Sequence, residues 1–363
     1  MARPSYRVQV LAAGASFTPG AVLAEFERAK NIGYADYAND VPEAFFTIAQ
    51  EDSKIKALRG VKTAHVRILR DGTNVWSGWL GEREADSREA IFYAYGYLSS
   101  LYTLLSDWNV AYTNAQINTI VSDHWTRAKT TLTSSPIAWV TTGTIEAPVT
   151  TTGGGTAIVL PTYKLFYKRI LFALREMATL GIGDTANTVL FEITPAGTFN
   201  FWKNRGVDQN VRWEFGGDYV MDFLDRSAVI FRRNDLLTVG MNPNDTLLRF
   251  EALNAGDITN YGRFQEPIFF SWIRDSTELQ RGANARLAKS IRDDIDVAVQ
   301  LKPNVIVPPR GAGALFGLAD RVNIRIDRGI TNITAKKMVY GYQVLVARGD
   351  EHLRVLLQDR PGV

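Results

Sequence analysis

Period-two alternation fills both ends of this chain and is missing from its middle, and that layout limits the fold more than any other feature. Near the start, "YRVQVLA" places Tyr6, Val8 and Val10 on one face, because successive side chains of a strand point to opposite sides. "AFFTIA", "KTAHVRIL", "NVWSGWL" and "EAIFYAYGYL" follow, with Ala64, Val66 and Ile68 sharing a face. Asp71-Gly72 is a two-residue hairpin turn, since both residue types tolerate positive φ. "DSKIKALRG" reads as one helical turn ending at Gly60. "PGAVLAEFERAKNIG" is open: Pro19 and Gly33 suit the ends of a helix, whereas Val22, Ala24 and Phe26 alternate as in a strand. From Asp296 onward the alternation returns in "DVAVQL", "DRVNIRID", "KKMVYGYQVLVA" and "HLRVLLQD", with Gly329 and Arg348-Gly349-Asp350 as turns.

Between the two β ends the period changes. Leu98, Leu101, Leu105 and Trp108 fall at helical steps. Thr130 to Thr162 is rich in Thr, Ser and Gly and reads as a long loop holding one hairpin. In "TYKLFYKRILFALREMATLGIG", Phe166, Ile170, Ala173, Leu174, Met177 and Leu180 make one stripe. Thr162 is positioned to cap the start and Gly181 to end it. Lys164, Lys168, Arg169 and Arg175 form its solvated face. "VLFEITPAGTFNFWKNRG" is a hairpin about Pro195 to Gly197, and "NVRWEFG" and "RSAVIFRR" are further strands. A second helix opens at Asp275, with Glu278 at the capping-box position and an inner ladder of Leu279, Ala283, Leu287 and Ile291. Gly282 inside it costs ~1 kcal/mol. The fold class is mainly β with α insertions (α+β).

The chemistry that would define an enzyme is sparse. The 363 residues allow roughly two to three domains. A net charge of +3 gives no electrostatic footprint for nucleic acid. With no cysteine there is no disulfide, thiolate metal site or thiol nucleophile. The start lacks a signal-peptide layout, and no run approaches the ~18 apolar residues that span a bilayer; we expect synthesis in the cytoplasm without ordinary export. His65, His124 and His352 are scattered, so no transition-metal site is expected. Ser122-Asp123-His124 reads as a polar turn or helix start, because adjacent backbone positions rarely converge their side chains into a triad. Gly153-Gly154-Gly155 lacks the Gly-Lys-Ser/Thr of a phosphate loop. "GAGALFG" at Gly311 to Gly317 follows Pro308-Pro309 without the helix a dinucleotide turn requires. Asp293, Asp294 and Asp296 could hold a cation or act as paired carboxylates, but read as a solvated helix end beside Arg292. No catalytic, cofactor-binding or metal residue, and no cofactor, is assigned. Trp76, Trp79, Trp202 and Trp213 keep a carbohydrate-binding or carbohydrate-active protein contacting a cell envelope open as an alternative. Trp76 and Trp79 are three apart, so on a regular strand they face opposite sides unless a bulge at Gly78 re-aims one. One then belongs to the core and the other to a neighbouring element or subunit.

The order of pieces resembles the tail-tip (baseplate) hub proteins of long-tailed bacteriophages, also called tail-associated or minor tail proteins. Three stretches carry the resemblance: "VRILRDGTNVWSGWLGE" with "EAIFYAYGYLSSLYTLL"; "LFYKRILFALREMATLGI" with "FEITPAGTFNFW"; and "YGRFQEPIFFSWIRDSTELQRGANARLAKSI" with "GLADRVNIRIDRG", "MVYGYQVLVA" and "HLRVLLQDRP". Hubs of this kind often read Gly-Asp-x-Val where this chain has Ala319-Asp320-Arg321-Val322. The resemblance implies two tail-tube-like β-barrel domains plus two smaller inserted domains. On that basis residues 1–108 are the first barrel, 109–190 an inserted domain with the Thr/Gly-rich loop and an amphipathic helix, 191–250 with 295–363 the second barrel, and 251–294 a small helical insertion. It further implies a structural, non-enzymatic virion protein, assembled in the bacterial cytoplasm and placed at the phage tail tip. Three copies would form a homotrimer ring with pseudo-sixfold symmetry, closing the tail tube. Its partners would be the distal tail or tail-tube protein ring, tip, fibre or tape-measure proteins and, at the cell surface, the host envelope, with DNA only in transit. Some relatives carry a C-terminal peptidase or fibre region, and with Val363 following the last strand so closely none is expected here. Another tail ring component, such as the distal tail protein, is the remaining alternative.

Overall fold

A computed structural model describes residues 3–105, 110–130, 135–149, 156–165, 168–182, 189–203, 205–225, 233–242, 246–270, 273, 275–290, 297–302, 316–347 and 349–358. The first part is β1 (Tyr6–Ala13), β2 (Pro19–Phe26), β3 (Asn31–Tyr37), β4 (Glu43–Ala49), β5 (Ala64–Arg70), β6 (Thr73–Ala85) and β7 (Glu89–Gly96). Then come α1 (Ser99–Thr103), β8 (Val110–Gln116), α2 (Ile117–Thr130), β9 (Thr141–Ile145), β10 (Val159–Leu165), α3 (Ile170–Ile182), β11 (Leu190–Ile193) and β12 (Thr198–Trp202). The remainder is β13 (Asp208–Glu214), β14 (Val220–Leu224), β15 (Asp235–Met241), β16 (Leu247–Leu253), α4 (Ala255–Tyr261), β17 (Gln265–Phe269), α5 (Ser276–Ser290), β18 (Val297–Leu301), β19 (Arg321–Arg328), β20 (Thr331–Ala347) and β21 (Asp350–Gln358). The protein is mainly β, as its alternation indicates.

Both ends of the chain build one sheet of thirteen strands, in the order β14-β18-β21-β20-β3-β4-β7-β6-β5-β1-β2, with β19 beside β20 and β13 beside β19. Long β20 is the joint. Its first half pairs with β19 (Arg328↔Thr331 to Arg321↔Met338), and its second half pairs on the same edge with β3 (Gly341↔Tyr37 to Ala347↔Asn31). β21 lines the opposite edge. The ambiguous "PGAVLAEF" is strand β2, because Phe26 is buried with its ring 6.2 Å from that of Phe46. Asp71 (φ 49) and Gly72 (φ 81) make the expected hairpin turn from β5 to β6.

The sheet curls. Strands lie about 4.8 Å apart, so five steps of flat sheet would separate β1 from β3 by roughly 24 Å. Instead, the Tyr6 hydroxyl on β1 donates to Glu351 Oε2 at 2.5 Å, and Glu351 sits on β21, beyond β3. At the other end the rings of Phe215, just past β13, and Phe223, within β14, stand 5.0 Å apart, and a bridge joins Phe215 to Val220. The sheet therefore curls at both ends over one continuous apolar core, although the ladder of β-strand pairs does not run full circle among the described residues.

The two halves repeat one plan. In the first, β4, β5, β6 and β7 lie in the order β4-β7-β6-β5; in the second, β18, β19, β20 and β21 lie in the order β18-β21-β20-β19. Three hairpin-linked strands are closed by the earliest one lying beside the last, a Greek-key arrangement. In both, the third strand is long, and its register shifts against the fourth, between Leu80 and Arg83 in β6 and between Val339 and Gly341 in β20. The plans part at the next strand: β1 runs antiparallel to β5, whereas β13 runs parallel to β19.

The middle of the chain makes a second core around α2 and α3 and a third under α5. α2 lies where only a polar turn or helix start is read from Ser122-Asp123-His124. Its buried stripe is Ile117, Ile120, Val121, His124, Trp125 and Ala128. α3 begins later than its stripe suggests. Thr162 caps nothing there; it lies in β10 opposite Thr113 of β8, because strand pairing satisfies that backbone and buries Tyr163. Gly181 lies inside the helix rather than past its end, where a Cβ would meet Val189 Cγ2 at 2.8 Å and Pro148 Cγ at 2.9 Å. The helix expected from Tyr97 covers only Ser99–Thr103 among the described residues; Leu105 bridges to Arg169 instead, and Trp108 lies outside them. The 251–294 stretch is not purely helical: β16 and β17 flank β15, and α5 covers one face of that sheet. "RSAVIFRR" lies outside the described residues apart from its last residue, Arg233.

Candidate functional site

Hydrogen-bonding and aromatic side chains gather at the seams between these units. At the first seam, Arg70 at the end of β5 donates through Nε to Glu351 Oε2 at 2.8 Å, on the same oxygen that accepts from Tyr6. The Glu351 side chain is only 1% exposed and that of Arg70 12%, so the pair is nearly desolvated. Glu351 Oε1 has no hydrogen-bond partner. Burial, with Tyr34 and Glu351 close by, pushes the Tyr6 hydroxyl far above its ordinary pKa. This cluster ties β1 and β5 of the first half to β21 of the second.

At the second seam the large sheet meets the helical core. His65 on β5 packs at a tilt against Trp79 (4.3 Å between centroids, 35° between planes); Tyr97 meets both edge-on, and Trp139 meets His65 edge-on. The Phe17 carbonyl can only accept, so His65 Nε2 carries the proton at 2.9 Å; neutral Nδ1 then accepts from the Tyr97 hydroxyl at 3.0 Å. Burial lowers the His65 pKa to about 4. Trp79 Nε1 donates to Ser100 Oγ at 2.8 Å. Asn39 (φ 59) stitches the same seam: its amide donates to the Val189 carbonyl and accepts from the Phe191 amide, both at 2.8 Å, and its own carbonyl accepts from Arg175 Nε at 3.0 Å.

The expectation for the tryptophan pair is met without a re-aiming bulge at Gly78. Ile68 opposes Trp76 and Val66 opposes Gly78, so Trp76 joins the large core; His65 opposes Trp79, which faces the helical core. Trp213 is buried and the Arg205 guanidinium lies 3.8 Å above the Trp202 ring, so these tryptophans make no open sugar platform. The sequence-adjacent Ser122, Asp123 and His124 do not converge. Asp123 accepts from Tyr112 (2.5 Å) and Arg127 (2.8 Å), while His124 is buried with neither ring nitrogen hydrogen-bonded. Burial lowers the His124 pKa to about 4. His65 and His352 lie in β5 and β21 as read. Among the described residues no group of three His, Asp or Glu is placed to hold a metal. Gly153 to Gly155 and Asp293, Asp294 and Asp296 lie outside them, as do Gly311 to Leu315.

Ala319-Asp320 is a built turn. Asp320 accepts from the amides of Val207 (2.9 Å) and Gly317 (2.8 Å) and from Gln209 Nε2 (2.6 Å). Ala319 has φ 69, the left-handed region that glycine enters without strain. The glycine that the resemblance places here is thus geometrically called for.

Two features escape a reading by pattern. Glu278 is 1% exposed with both carboxylate oxygens unpartnered, and burial, then the charge of Asp275, raises its pKa to about 7. Asp275 does cap α5, accepting from the amides of Thr277 and Glu278, but Glu278 does not complete a capping box. The other is the uncovered face of the β16-β15-β17 sheet. Register puts Leu237, Leu247, Leu253 and Phe269 on that side, and they are 45, 52, 48 and 76% exposed. Beside it a groove of about 450 Å³ runs between α3, β17 and α5, lined by Arg175, Leu180, Pro267, Phe269 and Arg286 among others.

No protein-family model matches the chain, and no curated protein matches it in sequence. Solved structures do share its fold. The tail protein from Neisseria meningitidis MC58 aligns over 99% of this chain and 98% of its own, with a TM-score of 0.69 at 14% identity. The 43 kDa tail protein of prophage MuSo2 from Shewanella oneidensis covers 98% of both chains, with a TM-score of 0.67 at 11% identity. Prophage tail protein gp18 from Listeria monocytogenes EGD-e covers 97% of this chain and 94% of its own, with a TM-score of 0.54 at 9% identity. The chain therefore has, along nearly its whole length, a fold found in phage tail proteins.

Proposed function

We propose that this protein is a non-enzymatic structural component of a phage tail, a trimeric hub at the distal end of the tail tube. The observation that carries this reading is the repeated strand order within one chain. Three copies of a two-unit chain present six similar units, which is what a threefold ring needs to seat on a sixfold one. The two curled halves are the tail-tube-like barrels of this reading. The proposal divides the chain into four parts: 1–108 and 191–250 with 295–363 as the β units, and 109–190 and 251–294 as insertions. Within that second unit, β11 and β12 pack in the second core and β15 and β16 belong to the small sheet. The exposed Leu237, Leu247, Leu253 and Phe269 supply apolar area for contact with the distal tail or tube ring or with tip, fibre or tape-measure proteins. The site would be the virion tail tip, with DNA only in transit.

Light scattering on the purified chain, with electron microscopy, tests this. A trimeric ring that binds a tail-tube or distal tail ring supports it. Twofold-related hexamers would point to a distal tail ring instead, and a strict monomer without affinity for tail proteins would sink the reading.

A further inference from the structure

The cations around α3 have different fates. Lys168 pairs with Glu176, and Arg175 pairs with Asp40 and donates to the Asn39 carbonyl. Arg169 makes no side-chain hydrogen bond or ion pair among the described residues. Its guanidinium carbon lies 3.9 Å from the centre of the Tyr102 ring and 6.0 Å from that of Phe172, and the two rings meet edge-on, 5.7 Å apart. Arg169 directly precedes Ile170, the first residue of α3, where a positive charge opposes the helix dipole. Its charge thus serves neither the helix nor an ion pair within the chain.

The surroundings of this guanidinium are open and held in place. Tyr102, Leu105 and Phe172 are all exposed. Leu105 bridges to Arg169, and Ile170 N donates to the Leu104 carbonyl at 3.0 Å, so the exit of α1 and the start of α3 fix each other. A guanidinium packed on a ring keeps its in-plane N–H donors, a fork that matches a carboxylate with two parallel hydrogen bonds. Tyrosine and arginine set among apolar groups are also the residues that dominate binding hot spots. We infer that this surface between α1 and α3 docks a segment of a different protein chain that carries one Asp or Glu among apolar side chains. Arg169 takes the carboxylate, and the apolar neighbours pack on Tyr102, Leu105 and Phe172. The charge pattern selects this occupant. One unpaired cation ringed by apolar groups matches a single carboxylate, whereas a nucleic acid needs several cations along its backbone, and Lys168 and Arg175 are already neutralised.

The inference stands independently of the ring reading. Its test is selection of a displayed random-peptide library on the full chain, with Arg169→Ala as the counter-selecting variant. Peptides retained by the wild-type chain alone should carry Asp or Glu beside large apolar residues. In calorimetric titration, changing that acid to its amide, or Arg169 to Ala, should weaken binding at least about tenfold. Arg169→Lys keeps the charge but neither the fork nor the stacking, and should weaken it at least about fivefold. Light scattering should give Arg169→Ala the same association state as the wild-type chain. The inference falls if no peptide depends on Arg169, if the selected peptides lack an acid, if Arg169→Lys binds as well as the wild-type chain, or if a single-stranded oligonucleotide binds more tightly than the peptides at physiological salt. Loss of self-association in folded Arg169→Ala would give the surface to a second copy and overturn it as well. Should Arg169→Ala fail to fold, Arg169→Lys takes its place in the counter-selection.

Discussion

The two halves of the large sheet follow one strand order, yet they are stabilised by different means. The first half is stacked with aromatics, Phe46 lying 5.1 Å from Phe92 and 6.2 Å from Phe26, and its outward face is sealed by the His65 and Trp79 cluster. The second half buries Val299, Leu301, Val355 and Leu357 beside Tyr342 and an edge-on pair of Trp213 and Phe316, 5.3 Å apart, and it reaches into the first through Glu351. The comparison teaches that a plan of strand pairing is kept by register and turns, while the filling can differ so long as volume and apolarity are kept.

The largest effect should come from the tie between the halves. Glu351→Ala leaves the Arg70 guanidinium without its buried partner, and breaking such a pair costs about 3–5 kcal/mol. Urea denaturation should show that loss. A change below 1 kcal/mol would mean that the halves hold together without this contact. Next come the two glycines of the long strands. At Gly78 an added methyl would collide with the Tyr95 backbone carbonyl, whereas at Gly341 it would first meet the movable Tyr37 ring, at 2.7 Å. Gly78→Ala should therefore lose about 2–3 kcal/mol and Gly341→Ala about 1; the reverse order in thermal melts would break the correspondence between β6 and β20.

Acid and base should separate the regions. His65 and His124 have folded pKa values near 4, below the ordinary 6.5, so the unfolded chain binds protons first and stability falls as pH drops from 6.5 toward 4. Each imidazole contributes a slope of up to about 1.4 kcal/mol per pH unit. Glu278, raised to about 7 from 4.5, has the opposite sign: its contribution is full below 4.5 and is lost as pH rises through 7. His124→Leu should flatten the acid limb and Glu278→Gln should raise stability at pH 8; denaturation midpoints between pH 4 and 8 that do not move in either variant would refute both assignments. The smallest effect is a gain. Ala319→Gly removes left-handed strain at a turn where glycine fits, and should add up to about 1 kcal/mol, read as a higher melting temperature.

Much of the fold was legible in the chain. Alternation located most strands of the large sheet, Asp71-Gly72 marked its hairpin, and the spacing of Trp76 and Trp79 separated their destinations. The α2 helix shows in the sequence only as a polar turn or helix start, although Ile117, Ile120, Val121, Trp125 and Ala128 carry its period, because polar residues and His124 interrupt the stripe. The start of α3 reads too early from the sequence, since Thr162 and Tyr163 lead into its stripe while belonging to a paired strand. Glu278 gave no signal: a Glu three residues into a helix looks like a cap, and only packing removes it from water.

By itself the sequence determined the local alphabet: where backbones extend, where they turn, and which face of each strand is apolar. Those follow from sterics and side-chain period within a few residues of one another. The tertiary structure alone decided that β20 joins two halves, that the sheet curls, and that Tyr6 meets Glu351. Those two residues are 345 positions apart. Contacts of that span depend on how every intervening strand twists and pairs, and no local spacing encodes them. The meeting of Tyr102 with Arg169 belongs to the same class, since α1 and the start of α3 are neighbours only through what the rest of the fold places between them.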